Sequence, residues 1–396
     1  MSTDFDILIV GGGLVGGSLA LALRHSTLRI GLVEAVTDAE RQASSASERA
    51  LALSRSTVQI LDGLGVWTAV AAKATPIQHI HVSDRGHFGK TRLHAADQGV
   101  DALGHVAIAR ALEDAIQTHL DGTPITRLCP ARVMGLKAGP DSVLVSLRHH
   151  DENVNVSARL LVAADGGNST VRSLLGIEQD VRVYGQTAIV TEVNTGKDTR
   201  FTAYERFTPS GPLAFLPLGR RKCSVVWTLK DPDAEDLLQQ GTREFTASLQ
   251  NAFGYWLGPI TLGSRPQGFR LKLIRAEKMT DDRVVLIGNA MHQLHPVAGQ
   301  GFNLGLRDAA MLSERILAQA GFDEDIGDGA FLSRYAEARR RDLGRVIRFT
   351  DTLVRVFSND FPPLVVARNL ALVTLDRLPF AKQLLAHQAM GYGNRL

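Results

Sequence analysis

The sequence predicts an α/β fold with more than one structural unit. Three observations carry that reading: a strand–helix–strand unit at the N-terminus, a middle stretch of alternating strands, and a mostly helical end. The chain has 396 residues, long for one compact domain and comfortable for two. It is 44% hydrophobic and 21% charged, an ordinary globular composition. A net charge of +3 makes no case for nucleic acid as a partner.

Phe5–Val10 (FDILIV) is short and nearly all apolar, which suits a strand buried on both faces. Leu14–His25, rich in Ala and Leu, reads as a helix, and Arg29–Glu34 as a second strand. Strand, helix and strand in about thirty residues make a βαβ unit and a parallel pair. Glu48–Leu53 reads as the start of the next helix, Arg55–Leu61 as helical, and Ile77–Ser83 as a half-exposed strand. Val106–Leu120 is predicted to be a helix. Three short strands follow between Ala131 and Ala164. Alternation in Gln186–Val193, Phe201–Phe207, Leu213–Leu218 and Lys222–Thr228 predicts a mainly antiparallel sheet, distinct from the opening unit. After a strand at Arg283–Ile287 the remainder is mostly helical, and Arg339-Arg340-Arg341 reads as a solvated helix face. Cys129 and Cys223 have no CxxC spacing, so a disulfide framework or zinc site is not expected and a reducing compartment fits. The N-terminus lacks the basic region of a secretory signal. No run of eighteen apolar residues predicts a membrane span.

Three strand-to-helix joins carry the chemistry. In the first, Gly11-x-Gly13-x-x-Gly16 lies between a strand and a helix. The first Gly permits a tight turn, the second lets backbone N–H groups approach a pyrophosphate, and the third lets helix and strand pack closely. The N-terminus of the helix starting at Leu14 then faces the anion with its partial positive charge. Glu34, at the end of the second strand, can accept hydrogen bonds from both hydroxyls of an adenosine ribose. An acid there argues against a 2′-phosphate, so the site suits FAD or NAD rather than NADP. Arg49 alone reads as a surface charge; beside this motif it is a candidate phosphate partner. The second join is Leu160–Leu175 (LLVAADGGNSTVRSLL), where a buried strand ends in Asp165-Gly166 and Ser169 and Arg172 open a helix. The third is RVVLIGNAMHQLHPVAGQGFNLGLRDA, residues 283–309. Asn289 ends its strand, His292 to Pro296 would cross the cofactor, and Gly299 and Gly301 free backbone donors near the next helix. Such donors can stabilise negative charge on a reduced flavin.

In order and spacing, these three joins resemble the single-component aromatic hydroxylases that use FAD, over almost the whole chain. HPVAGQGFNLGLRD resembles the hydroxylases of ubiquinone biosynthesis. HVSDRGHFG at 81–89, GPLAFLPL at 211–218 and Asn289 resemble those acting on 2-polyprenyl-6-methoxyphenols. The resemblance implies a Rossmann-like FAD-binding domain made of 1–75, 101–180 and 276–325. It implies a β-sheet substrate domain of 76–100 and 181–275, and a helical C-terminal region, 326–396. It also implies that NAD(P)H binds transiently, and no second GxGxxG follows a strand. Gly11, Gly13, Leu14, Gly16, Glu34 and Arg49 would hold the ADP half of FAD. Asp165 would lie near the pyrophosphate and the NAD(P)H approach. Pro296, Gly299, Gln300, Gly301 and Asn303 would border the flavin ring. Asn289 stands where most of the family has an Asp that takes a ribityl hydroxyl; an amide oxygen can accept the same bond without the charge.

The implied reaction hydroxylates the ring of a polyprenylated phenol with NAD(P)H and O2, through a C4a-hydroperoxyflavin. Phe215 and Pro217, in an apolar strand of the substrate region, are candidates for the pocket wall. His79 and His81 share a strand face, but two His are too few for a zinc site. A prenylated substrate would reside in the bilayer, so the enzyme must meet a membrane. Phe361–Met390, apolar and broken by Arg368, Arg377 and Lys382, is a candidate interfacial helix; packing on the body or in an oligomer contact is the other reading. A cytoplasmic protein, peripheral on the inner face of the membrane and associated with other ubiquinone-biosynthesis proteins, is expected. The alternatives are a hydroxylase of a soluble phenol and a flavin-binding subunit without turnover.

Overall fold

Strand Phe5–Val10 sits at the centre of the first sheet because every side chain from Ile7 to Val10 can be buried on one face or the other. A computed structural model describes residues 3–293, 300–357 and 361–392. Phe5–Val10 pairs in parallel with Ile30–Val33 on one side and Glu152–Ala163 on the other. Thr126–Leu128 and Val284–Leu286 extend the parallel sheet at its two ends. Ala131–Ala138 and Val143–His149 form an antiparallel excursion with the outer half of Glu152–Ala163. Helices Leu14–Leu23, Ala109–Asp121 and Gln300–Gly321 cover this sheet, and its side chains form the largest apolar core.

The second sheet is mostly antiparallel, as the alternation predicts. Its strand order runs through Gln267–Ala276, Gln179–Thr195, Lys222–Lys230, Gly211–Pro217, Thr202–Thr208, His79–Asp84 and Lys90–His94. One pairing, Thr202–Thr208 with His79–Asp84, is parallel. Helices Asp231–Gln239 and Thr242–Phe253 cover one face over a separate core around Phe215, Trp227 and Phe253.

A small third sheet joins the two and overturns two sequence expectations. Glu48–Leu53 does not begin a helix. A short 3-10 turn ends at Glu48, and Ala50–Ser54 is a strand. Val106–Leu120 is likewise split, into strand Gly104–Ile108 and helix Ala109–Asp121. Gly104–Ile108 is paired on both sides, by Ala50–Ser54 and Thr75–Ile77. Ladder bonds to partners distant in sequence outweigh the local helical preference of an Ala/Leu run.

The arginine run is also corrected. Arg339, in helix Gly329–Phe357, is buried and bonded to Asp308 and Asp342, whereas Arg340 and Arg341 are exposed. Phe361–Met390 forms two helices, Pro362–Arg377 and Pro379–Ala389, with a Pro opening each. The pair packs on the second sheet through buried Arg368, Asn369 and Leu372. Arg368 therefore belongs to the interior: it pairs with Asp84 at 2.8 Å.

Candidate active site

The three joins converge at the C-terminal ends of the parallel strands, where open α/β sheets bind their ligands. At the first, Gly11 has φ +101°, and a Cβ there would stand 2.5 Å from the Ala164 carbonyl oxygen. A Cβ on Gly16 would stand 1.9 Å from the Gly11 oxygen. The two glycines thus let the turn and helix Leu14–Leu23 close onto the neighbouring strand. Gly13 caps the helix without a side-chain hydrogen bond and with open space beyond its Cα. Leu14 lies directly behind it and lines the same cavity. Glu34 accepts hydrogen bonds from the Gly12 and Val36 N–H groups at 2.7 and 2.8 Å. That fixes the carboxylate at the turn's mouth with lone pairs to spare. Arg49 is exposed at the cavity edge, between the 3-10 turn and its strand.

At the second join, Gly166 has φ +84°, and Ala164 and Gly166, on either side of Asp165, line the cavity. One carboxylate oxygen accepts from the Val171 N–H at 3.2 Å; the other is buried and has no hydrogen-bond partner among the described residues. A buried orphan acceptor is costly unless a ligand completes it. The Ser169 hydroxyl caps helix Thr170–Leu174 by accepting from the Arg172 N–H. Arg172 does not reach for a ligand. It donates to the Gly167 and Ala290 carbonyls, each at 2.8 Å, and so ties the second join to the third.

At the third, Gly288–Ala290 is a 3-10 turn that presents Asn289 to the cavity. Asp308 holds this turn from behind. It accepts from the Gly288 N–H at 2.9 Å, contacts His292 Nε2 at 2.8 Å and pairs with Arg339. Burial pushes the Asp308 carboxyl up, but Arg339 and His292 outweigh it and hold it at about 2. Helix Gln300–Gly321 begins beside the cavity, which Gly301 lines. Asn303 also lines it, but its amide clamps the third sheet. It accepts from the Ser54 N–H and the Thr57 hydroxyl and donates to the Ala52 carbonyl. Gln300 opens the helix; Pro296 and Gly299 lie outside the described residues.

One cavity of about 1200 Å³ runs from these joins into the second sheet. That exceeds the volume a single small ligand usually needs, and leaves room for a cofactor and a second molecule. Its far wall is apolar, with Ala214, Leu216, Val226 and Phe357 among its lining. Here two sequence candidates are displaced. Phe215 is fully buried and stacks on Phe253 at 3.8 Å, and Pro217 shares its face; neither lines the cavity. Alternation along the strand turns Ala214 and Leu216 inward instead, so the strand was right and the face was wrong. His79 contacts His94, with their Nδ1 atoms 2.8 Å apart. His81 packs between Tyr204 and Trp256, and burial lowers its pKa to about 4. Among the described residues, no three potential metal ligands cluster.

The site fits FAD on its own geometry: a glycine turn at an uncapped helix start, an acid at the ribose position and an orphan Asp165 oxygen. Sequence reasoning missed Asp308 and Arg339, whose only signal was charge within otherwise apolar helical spacing. It also missed Glu205, an acid on the cavity face of Thr202–Thr208.

A family model described as FAD binding domain matches residues 4–350. The chain is 38% identical over 392 residues to a ubiquinone hydroxylase, UbiL, of Rhodospirillum rubrum, covering 98% of this chain and 89% of that one. It is 30% identical to the 3-demethoxyubiquinol 3-hydroxylase of Escherichia coli, over 98% of both chains. The crystal structure of p-nitrophenol 4-monooxygenase PnpA from Pseudomonas putida superposes over 100% of both chains with a TM-score of 0.80 at 21% identity, which shows the shared fold. The chain therefore belongs to the FAD-binding-domain family together with the ubiquinone hydroxylases, and is an FAD-dependent aromatic-ring monooxygenase that uses NAD(P)H and O2.

Proposed function

We propose that this enzyme hydroxylates the ring of a polyprenylated phenol, of the 2-polyprenyl-6-methoxyphenol type, in ubiquinone biosynthesis, working at a membrane surface. One observation carries the reading. The cavity that begins at the cofactor joins ends against the C-terminal helix pair, where Leu372, Leu375, Leu385 and Ala389 line it. A chamber of that length and apolar character suits an aromatic ring followed by an isoprenoid tail. The outer face of the same helix pair exposes Phe361, Val366, Leu370, Leu378, Phe380 and Leu384. No helix among the described residues is long and apolar enough to cross a membrane. An apolar outer face on helices that wall a lipid-sized chamber suits docking in the interface plane, where a tail could pass from bilayer to cavity. The named activities of the relatives support the same substrate class.

FAD, when bound, supplies hydride acceptance from NAD(P)H and activation of O2. The protein's part is to hold the ring against the cofactor and to keep water out. The Gly11–Gly16 turn, Glu34, Asp165 and Asn289 would hold the cofactor, and the apolar wall would exclude water.

The test adds NADPH or NADH anaerobically to the FAD-loaded protein, with and without a short-chain prenyl methoxyphenol, and then admits oxygen. Faster flavin bleaching with the phenol, and a product heavier by one oxygen, are expected. Flavin that no nucleotide reduces, or a phenol that is never hydroxylated, would overturn the substrate assignment. For the membrane surface, Leu370→Ser with Phe380→Ser should weaken binding to anionic vesicles about tenfold. Unchanged vesicle binding would remove this face from the reading.

A further inference from the structure

We propose that Glu205 accepts the phenolic proton of the substrate, as the catalytic base on a stretch of the chamber wall whose neighbouring side chains are hydrocarbon. The inference rests on the phenol-hydroxylase reading above. In strand Thr202–Thr208, Ala203, Glu205 and Phe207 all line the cavity. Glu205 lies opposite Val82 on the parallel neighbour strand and Ala214 on the antiparallel one. Both of those residues line the cavity too. A carboxyl is therefore set among apolar neighbours on this sheet face.

No described residue neutralises it. Among the described residues its side chain makes no hydrogen bond or ion pair, and burial alone perturbs it. The charged groups that line the cavity are paired or stand apart from it: Arg49 lies at the cofactor end, and Arg265 and Lys272 lie on the side of Gln179–Thr195 and Gln267–Ala276. On His79–Asp84, Ile80 and Val82 face the cavity, while His81 packs with Tyr204 and Trp256. Asp84 pairs with Arg368, the cation that the C-terminal helices bring to this region. Glu192 pairs with Lys222 and Arg270 with Glu235. Those two line the cavity from Gln179–Thr195 and Gln267–Ala276, at least three strand spacings from Thr202–Thr208, on the order of 14 Å. A structural carboxylate would have a partner; one kept in an apolar wall without a partner is explained by chemistry.

Its place along the strand suits the reaction. Ala203 packs with Ala50, Ile77 and Val106, at the end where Arg49 and the third sheet meet the cofactor joins. Phe207 stacks on Phe357 and packs with Leu372, at the end closed by the C-terminal helices. Glu205 stands between them, roughly 7 Å along the strand from each. A ring held there would have its tail toward the helix pair and its reacting edge toward the flavin.

The step balances. The phenol O–H bond breaks, its electron pair enters the ring, and the proton passes to a Glu205 oxygen. The activated ring carbon forms the new C–O bond with one oxygen atom of O2; the other leaves as water, with electrons from NAD(P)H. Loss of the C–H proton restores aromaticity, and Glu205 returns its proton to the ring oxygen. Burial pushes the Glu205 carboxyl up to about 7, where a base works best near neutral pH.

The experiment uses full-length, FAD-loaded protein with Glu205→Gln and Glu205→Asp. Hydroxylated product and hydrogen peroxide per NADPH are followed from pH 6 to 9 with a short-chain prenyl methoxyphenol. Wild-type product formation should rise through pH 7. Glu205→Gln should lower it about 100-fold or more, lose that rise and divert reducing equivalents to peroxide, while Glu205→Asp keeps the rise. A second measurement needs no variant: wild-type protein binding a prenyl nitrophenol at pH 8, where the free phenol is ionised, should take up about one proton. Product from Glu205→Gln at the wild-type rate with the same pH rise, or binding without proton uptake, would overturn the assignment. Wild-type protein that hydroxylates no phenol would instead defeat the substrate reading.

Discussion

Asp308 and Glu205 are both carboxylates withdrawn from bulk water, and their surroundings move them in opposite directions. Asp308 sits behind the Gly288–Ala290 turn with Arg339, His292 and a backbone N–H on its oxygens, and is held at about 2. Glu205 lines the cavity with no partner among the described residues, and burial raises it to about 7. The first arrangement locks three chain segments together behind the cofactor turn. The second leaves a proton free to move. A buried charge that is fully satisfied builds the frame, and one left unsatisfied inside a cavity is available for chemistry.

The sharpest way to break the comparison is Asp308→Ala. It takes from buried Arg339 one of its two carboxylate partners and leaves the Gly288 N–H without its acceptor. A loss of about 3–5 kcal/mol is expected in denaturant unfolding, together with weaker FAD binding through the displaced Asn289 turn. The depressed carboxyl has a matching acid signature. Its contribution is fully present above the unfolded value of 3.8 and is lost as pH falls through about 2.

Glu205→Gln should act with the opposite sign. The folded carboxyl, at about 7, binds protons that the unfolded chain, near 4.5, has already released. Stability of the parent therefore falls as pH rises between those values. The variant should be more stable than the parent by about 1–3 kcal/mol at pH 8 and nearly equal to it at pH 4.5, read by urea unfolding. A variant less stable at pH 8 would mean that Glu205 has a structural partner after all.

Arg341→Ala should have the smallest effect, below about 0.5 kcal/mol in the same assay. Arg341 lies two residues from Arg339 on the same helix but pairs with Glu337 in the open. A loss as large as that of Asp308→Ala would remove burial as the cause of the contrast.

Local signals made the cofactor half readable. Gly11, Gly13 and Gly16, Glu34, Asp165 and Asn289 are each tied to a strand end, and apolar runs mark strand ends well. The third sheet was not readable. Ala50–Ser54 reads as helix from its Ala/Leu content and becomes a strand only because Gly104–Ile108 lies beside it. Phe215 failed for a different reason. The strand was legible, but which face met the cavity depended on helix Thr242–Phe253 covering the other side.

The sequence by itself determined that this chain builds strand-to-helix joins of a kind that suits a dinucleotide, because those joins rest on short-range rules of glycine geometry and strand burial. It determined the alternating second sheet for the same reason. Only the tertiary structure decided that Asp308 would be neutralised and Glu205 left alone. Each stands beside an arginine in the chain, Asp308 after Arg307 and Glu205 before Arg206, so the local sequence does not tell them apart. Their charge states depend on whether Arg339, 31 residues further along the chain, comes within hydrogen-bonding reach or hydrocarbon does.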